Sequence, residues 1–317
     1  MIRFIVNRLL YLIPVLFIMS VIVFSFMHLI PGDPIDYILG VEATSEIKAT
    51  LRAELGLDKN IVVQYLNWSG KILTGDFGKS TVNKRSVLKS ILEKLPATLI
   101  LSAFATIIST VIALFLGTLA AQKRGSLTDI FALILALLWV SIPWFWLGIL
   151  LILLFSIQFP ILPSLGYANI FTDFINGLRY LILPALTLGG ILAGAFTRMT
   201  RSEMIEQLNQ DYIVTAWAKG LPKRVIIYKH ALKNAMVPLI TFIGLQLGSL
   251  LGGAVVVEKI FAWPGVGRLV VESIFARDYP MVQGIVMFLS LIFVFINLLV
   301  DISYTFLDPR IRMGDNG

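Results

Sequence analysis

The sequence predicts an all-α integral membrane protein with six transmembrane helices and a small, mostly helical extracytoplasmic domain between the first and second. Two observations carry that prediction. Hydrophobic residues make up 57% of the 317-residue chain and charged residues only 14%, whereas a soluble domain carries charge on roughly a quarter of its residues. So few charges cannot cover a water-facing surface, and the apolar side chains must face lipid or one another. Charge-free runs over 9–32, 95–122, 130–172, 180–197, 234–257 and 279–300 supply the spans. A helix crossing a hydrocarbon core roughly 30 Å thick needs about 20 such residues, each rising about 1.5 Å. The run 180–197 is the shortest, near the lower limit for a crossing.

The first run follows Arg3 and Arg8. It is longer than the apolar core of a cleaved signal and has no small-residue cleavage site, so it is read as a retained anchor. Residues 1–30 form a tail and the first helix, and 31–95 the extracytoplasmic domain. Within that domain Ser45 is expected to cap a helix ending at Leu55, with Glu46 in its first turn and Gly56 as its stop. A second helix is expected over 60–73, with Val63, Leu66 and Trp68 among its apolar positions, before Gly75-Asp76-Phe77-Gly78 breaks it. Residues 86–95 read as an amphipathic lead-in, and Pro96 as the opening of the second span. The third run exceeds one crossing. A single span over 130–155, kinked at Pro143, is expected, and Phe159-Pro160-Ile161-Leu162-Pro163 ends it. Residues 96–307 form the membrane core and 308–317 a second tail.

Basic residues set the orientation, because Lys and Arg accumulate in cytoplasmic loops. With both termini inside, the inner segments hold Arg3, Arg8, Lys123, Arg124, the cationic stretch 198–233, Arg310 and Arg312. The short outer loops hold Arg179, Lys259, Arg268 and Arg277. The 31–94 loop is too long for this rule to weigh. The net charge of +7 is thereby accounted for without a nucleic-acid partner.

Several chemistries drop out. The chain has no cysteine, which removes disulfides and thiolate metal sites. It has no His-Glu-x-x-His helix and no Gly-x-Ser-x-Gly elbow. Gly78-Lys79-Ser80-Thr81 resembles the tail of a phosphate-binding loop, but Leu73 stands where the first glycine belongs, so no nucleotide site is expected. Titratable groups near the spans are His28, Asp301 and, at an edge, Glu258. His28 and Asp301 lie at opposite membrane ends, which argues against an intramembrane enzyme; Asp301 is expected to pair locally or cap backbone. Proton- or sodium-coupled transport calls for buried acids or paired broken helices at mid-membrane, and charge-free spans argue against it.

The longest inner loop, 198–237, is the most informative. It contains Asp211-Tyr212-Ile213-Val214-Thr215-Ala216-Trp217-Ala218-Lys219-Gly220-Leu221, then Pro222, then His230-Ala231-Leu232-Lys233-Asn234. Residues 212–219 read as a short helix stopped by Gly220, and Pro222 as the start of another. Two short helices set at an angle would form a projecting knob.

This loop resembles the coupling loop of binding-protein-dependent ABC importer permeases of type I, most narrowly the first-named (B-type) permease of dipeptide and oligopeptide systems. Other segments match in order: Pro31-Gly32-Asp33-Pro34, Gly75-Asp76-Phe77-Gly78-Lys79-Ser80, Ser141-Ile142-Pro143 with Phe145-Trp146-Leu147-Gly148, Phe261-Ala262-Trp263-Pro264-Gly265-Val266-Gly267, Asn297-Leu298-Leu299-Val300-Asp301 and Leu307-Asp308-Pro309-Arg310-Ile311-Arg312. Two positions depart from the pattern. Val214-Thr215-Ala216 stand where the importer consensus has Glu-Ala-Ala, and Trp217 stands where similar peptide permeases have Arg.

The resemblance implies a MetI-like fold and a pore-forming, non-enzymatic transport subunit in a bacterial or archaeal cytoplasmic membrane. Its implied partners are a second homologous permease, two ATPase subunits that use ATP and Mg, an extracytoplasmic binding protein and membrane lipid. No cofactor, metal or catalytic residue is implied on this chain. The ATPase would dock on Asp211, Tyr212, Thr215, Ala216, Ala218, Lys219, Gly220, Leu221, His230 and Asn234. Pro143 is the gating candidate, either a bend at the translocation path or packing within an aromatic belt. The 31–95 domain is either a platform for the binding protein or a cap on the bundle. Peptides are the implied cargo; relatives of this organisation carry nickel chelates, glutathione or oligosaccharides.

Overall fold

The computed structural model describes residues 2–29, 35, 44–54 and 58–307. Among them the structure is helical, apart from one antiparallel bridge between Lys79 and Ser86. Pro31-Gly32-Asp33-Pro34, the Leu55 and Gly56 helix stop, the side chains of His28 and Asp301, and the 308–312 motif lie outside the described residues. The chain divides into two units, Met1–Pro96 with Gly265–Leu298, and Ala97–Pro264 with Leu299–Gly317.

The first unit contains α1 (Ile2–Leu29), α2 (Ser45–Glu54), α3 (Ile61–Leu73) and the start of α4 (Val87–Gln122). Thr44, not Ser45, stands at the head of α2: its carbonyl accepts from Lys48 N–H at 3.1 Å, which makes Ser45 the first helical residue. Asn60 caps α3 as a helix-starting amide should, its Oδ1 accepting from Val62 N–H at 2.9 Å. Tyr65 and Trp68 of α3 turn toward α1, with rings 5.4 and 5.7 Å from Phe24 and a 2.7 Å hydrogen bond between the Tyr65 and Ser20 hydroxyls. Pro96 does not open a helix but lies within the 36 residues of α4. A proline there removes only the bond to the carbonyl four residues back, a loss that a long membrane helix absorbs.

The same unit holds α10 (Val266–Phe275) and most of α11 (Tyr279–Leu307). Sequence reasoning missed α10, a short amphipathic helix that buries Val266, Gly267, Val270 and Ser273 and pairs Arg268 with Glu272 on its wetter side. Between α10 and α11, the buried Asp278 carboxylate accepts from the Ser80 hydroxyl and, at 3.1 Å each, from the Thr81 hydroxyl and amide. The loop that mimics a phosphate cradle thus spends its hydroxyls on this chain's own carboxylate.

The second unit contains the rest of α4, then α5 (Leu127–Ser141), α6 (Trp144–Ile152) running into a π-helical turn (Leu153–Gln158), α7 (Phe174–Leu208), α8 (Asp211–Ala218), a second π-helical turn (Val225–Ala231) and α9 (Leu232–Ile260). The expected single span over 130–155 is two helices bent by 107°. The break falls where the residue before a proline is disfavoured in the helical region: Ile142 is extended (φ −84°, ψ 123°). Pro143 then heads α6, accepting from Leu147 N–H at 3.0 Å, where its missing N–H has no helical partner to lose.

α7, the marginal run in the sequence, is the most buried of the long helices and packs against α5, α6 and α9. Between membrane helices, association rests on close packing more than on transfer from water, and small residues permit it. A methyl added at Gly189 would come within 2.7 Å of the Ala105 carbonyl oxygen, and one at Gly194 would strike the Ala136 carbonyl. Asp173 caps α7, and its hydrogen bonds from the Asn176 side chain and amide hold its carboxyl below the usual carboxylate range.

At the other end of α9, Phe261 and Trp263 of the Phe261–Gly267 motif are buried, and the Trp263 indole donates to the Ala97 carbonyl at 2.9 Å. Glu258, expected at a span edge, is fully buried and accepts from the Thr98 hydroxyl at 2.6 Å. By length and apolar content, Val87–Gln122, Phe174–Leu208, Val225–Leu250 and Tyr279–Val300 can each cross a membrane, and the bent pair adds a fifth crossing if it makes one. Against the six expected spans, the described residues support four or five, and the apolar stretch Leu10–Ser25 lies within the longer helix α1.

Candidate docking site

The 198–237 segment is not a loop from its start. α7 stays helical to Leu208, so Arg198, Arg201, Glu203 and Glu206 lie on a stalk. Methionine, glutamate, glutamine and leucine there are strong helix formers, and dense charge had read as loop. The 11 residues from Arg198 to Leu208 carry the stalk about 16 Å beyond the apolar run. The stalk is braced near its base. Arg201 Nε donates to Asp129 Oδ1 at 2.5 Å and Nη2 to Oδ2 at 2.8 Å, and the Gly125 amide adds a bond to Oδ2 at 2.9 Å. Sequence reasoning missed this pair, having counted Arg201 only as a loop cation. The available signal was the acid at 129, which stands directly before a charge-free run.

α8 turns two faces. Ile213 and Ala216 are buried with Met204, Ile226, Ile227 and Ala231. Ala216, expected at a docking surface, therefore anchors α8 inward: at i+3 from Ile213 it shares the inner stripe. Asp211, Tyr212, Val214, Thr215, Trp217, Ala218, Lys219 and Gly220 are exposed. The Tyr212 hydroxyl donates to Gln207 Oε1 at 2.8 Å and the Thr215 hydroxyl to the Asp211 carbonyl at 3.0 Å, which holds the outer face in place.

Gly220 ends the helix as expected. Its φ of +74° is left-handed, its N–H bonds the Trp217 carbonyl at 2.9 Å, and the Leu221 N–H bonds the Ala216 carbonyl at 3.3 Å. This paired closure is the Schellman motif, and half-buried Leu221 packs on the same inner cluster. Pro222 starts the return, its carbonyl accepting from Val225 and Ile226 N–H. The return is no second short helix: the 225–231 π-helical turn flows directly into α9. His230 is half-buried on that turn, and Asn234 is exposed one turn further along. Val214 and Trp217, noted in the sequence only as departures from the family pattern, are exposed, as is Tyr228.

Among the described residues no group of His, Cys, Asp and Glu is placed to hold a metal. The tip offers a short helix with a fixed end. Residues 113–313 match the family described as "Binding-protein-dependent transport system inner membrane component", and residues 1–102 match its companion, "Binding-prot-dependent transport system membrane comp, N-term". The chain is 42% identical over 312 residues to the "Glutathione transport system permease protein GsiC" of Salmonella typhimurium, covering 98% of this chain and 99% of that one. It is 40% identical to the protein of the same description from Escherichia coli, with the same coverage.

Proposed function

Because this chain belongs to the family of binding-protein-dependent transport system inner membrane components, we propose that it is the pore-forming subunit of an ATP-driven importer of short peptides. The observation that carries this reading is the tip: a capped helix with one face locked inward and the other exposed, held beyond the apolar length of its stalk. Nothing in a passive connection requires a braced stalk, a Schellman closure and a second anchored strand of chain.

In this reading a separate ATPase subunit grips the exposed positions Asp211, Tyr212, Thr215, Ala218, Lys219 and Gly220, with Leu221, His230 and Asn234 at the margin. Two such subunits and a second, homologous permease complete the core, and an external binding protein delivers cargo. Both termini lie in the cytoplasm, a reading that the distribution of Lys and Arg supports. The 31–95 segment faces the binding protein. ATP belongs to the partners, so this chain catalyses nothing itself. ATP binding closes the ATPase pair, which moves the tip, and the packed helices around α7 shift between two arrangements. The Ile142–Pro143 break is the gating candidate.

Glutathione is the second reading for cargo, favoured by the descriptions of the relatives at 40–42% identity; it is itself a tripeptide. The deciding experiment is uptake into proteoliposomes holding the full complex, with its binding protein, offered labelled dipeptides, tripeptides and glutathione in turn. ATP-dependent accumulation of a peptide supports the reading. Accumulation driven by a proton gradient without ATPase subunits would overturn it.

A further inference from the structure

We propose that the tip docks its partner through an apolar anchor flanked by cations, so that the receiving cleft of the ATPase subunit must be apolar at its centre and acidic at its rim. This rests on the ATPase-docking reading above and adds the chemistry of the contact.

The anchor is Trp217 with Val214. They are three residues apart and so share one face of α8, with exposures of 49% and 63%. Ala218 beside them is small and lets a partner's backbone come close. The cations that follow in the chain are Lys219, Lys223, Arg224, Lys229 and Lys233, all exposed. Asp211 is the only acid in 209–234. Tryptophan is among the residues that most often dominate an interface, and cations around it steer encounter more than they hold the complex.

Two features make the anchor effective. Ile213 and Ala216 fix the inner face of α8 in a packed cluster, and the Gly220 closure fixes its end, so docking orders little that is not already ordered. The stalk also decides what kind of partner fits. Its charges, Arg198, Arg201, Glu203 and Glu206, keep it out of hydrocarbon, and those acids with Asp211 disfavour an anionic lipid surface. The occupant is therefore a protein surface.

The test uses the whole complex in nanodiscs, with its ATPase subunits removed and re-added. Trp217→Ala is expected to weaken rebinding at least about 30-fold, the scale of a dominant interface residue, and Trp217→Phe to recover most of it. Lys219→Glu with Lys223→Glu is expected to slow association and to flatten its salt dependence while dissociation changes little. A photoactivatable residue replacing Ala218 reports the docking itself. If it crosslinks to the ATPase and Trp217→Ala still rebinds as tightly as the unaltered protein, the anchor is wrong and the docking reading stands. Absence of any crosslink to the ATPase overturns both. Lipid labelled by a photoactivatable residue at 217 overturns the anchor in favour of a membrane contact. Unchanged thermal unfolding of Val214→Ser separates lost docking from lost folding.

Discussion

Arg201 holds Asp129 with two parallel hydrogen bonds, Nε to Oδ1 at 2.5 Å and Nη2 to Oδ2 at 2.8 Å, with Asp129 buried. The pair ties the base of the docking stalk to the first turn of α5. In the proposed coupling, force on α8 would move α5 with α7 instead of bending the stalk. Removing one partner of such a pair leaves the other uncompensated and costs about 3 kcal/mol when it is well buried. Asp129→Asn is expected to insert and assemble, to keep hydrolysing ATP, and to lose most uptake per ATP. Arg201→Lys, a point charge without the planar fork, is expected to fall between. The ratio of uptake to hydrolysis in proteoliposomes is the measure, and equal losses in both would mean that the pair serves only the fold.

Gly220 separates backbone strain from docking. A methyl added there meets nothing of this chain within 4 Å, yet its φ is +74°. A left-handed residue other than glycine costs about 1–2 kcal/mol. Gly220→Ala and Gly220→Leu should therefore lose similar stability in thermal unfolding. They should differ in transport: alanine reduces uptake a few-fold, whereas leucine intrudes on the partner and uncouples hydrolysis from uptake. Indistinguishable transport by the two variants would remove the docking role.

These two sites show what the sequence could and could not convey. Gly220 was legible, because the stop follows from backbone chemistry that glycine alone makes easy. Ala216 was assigned to the outer surface because small residues admit a partner, but the stripe begun by Ile213 turns it inward, and that needs the neighbouring 225–231 turn to be seen. Pro96 and Pro143 look alike in sequence. One lies inside a 36-residue helix and the other heads a new helix after a 107° bend. The difference lies in what surrounds them, since α6 is held by tertiary packing with Leu147 and Gly148 buried. The stalk from Arg198 was lost to a rule that equates charge with loop, and α10 is too short for its pattern to stand out.

Asp278 carries a structural prediction in the other unit. Its carboxylate collects the Ser80 hydroxyl and both donors of Thr81, and it sits at the head of α11. Hydrogen bonds to a charged group are worth about 1.5–3 kcal/mol each way they are lost. Asp278→Ala is expected to lower the thermal stability of the purified protein by about that much and Ser80→Ala by less, with neither variant changing nucleotide affinity of the complex. A drop in nucleotide binding on Ser80→Ala would revive the phosphate-loop reading of Gly78-Lys79-Ser80-Thr81.

Pro143 heads α6, and the question is whether the ring or the packing holds the break. A methyl at Gly148 would lie 3.2 Å from Thr187 Cγ2 and 3.3 Å from the Phe261 ring, so α6 sits tightly on its neighbours just past the bend. Losing proline's constraint at a compatible site costs about 0.4–1 kcal/mol, mostly through the unfolded chain. Pro143→Ala should therefore keep the break and retain uptake within about threefold of the unaltered protein, on the scale that such an energy allows. Gly148→Leu must push α6 away and should abolish uptake while the chain still inserts. Initial uptake rates and protease accessibility around residue 142 decide between them: if Pro143→Ala alone silences transport, the ring itself is the gating element and the packing is secondary.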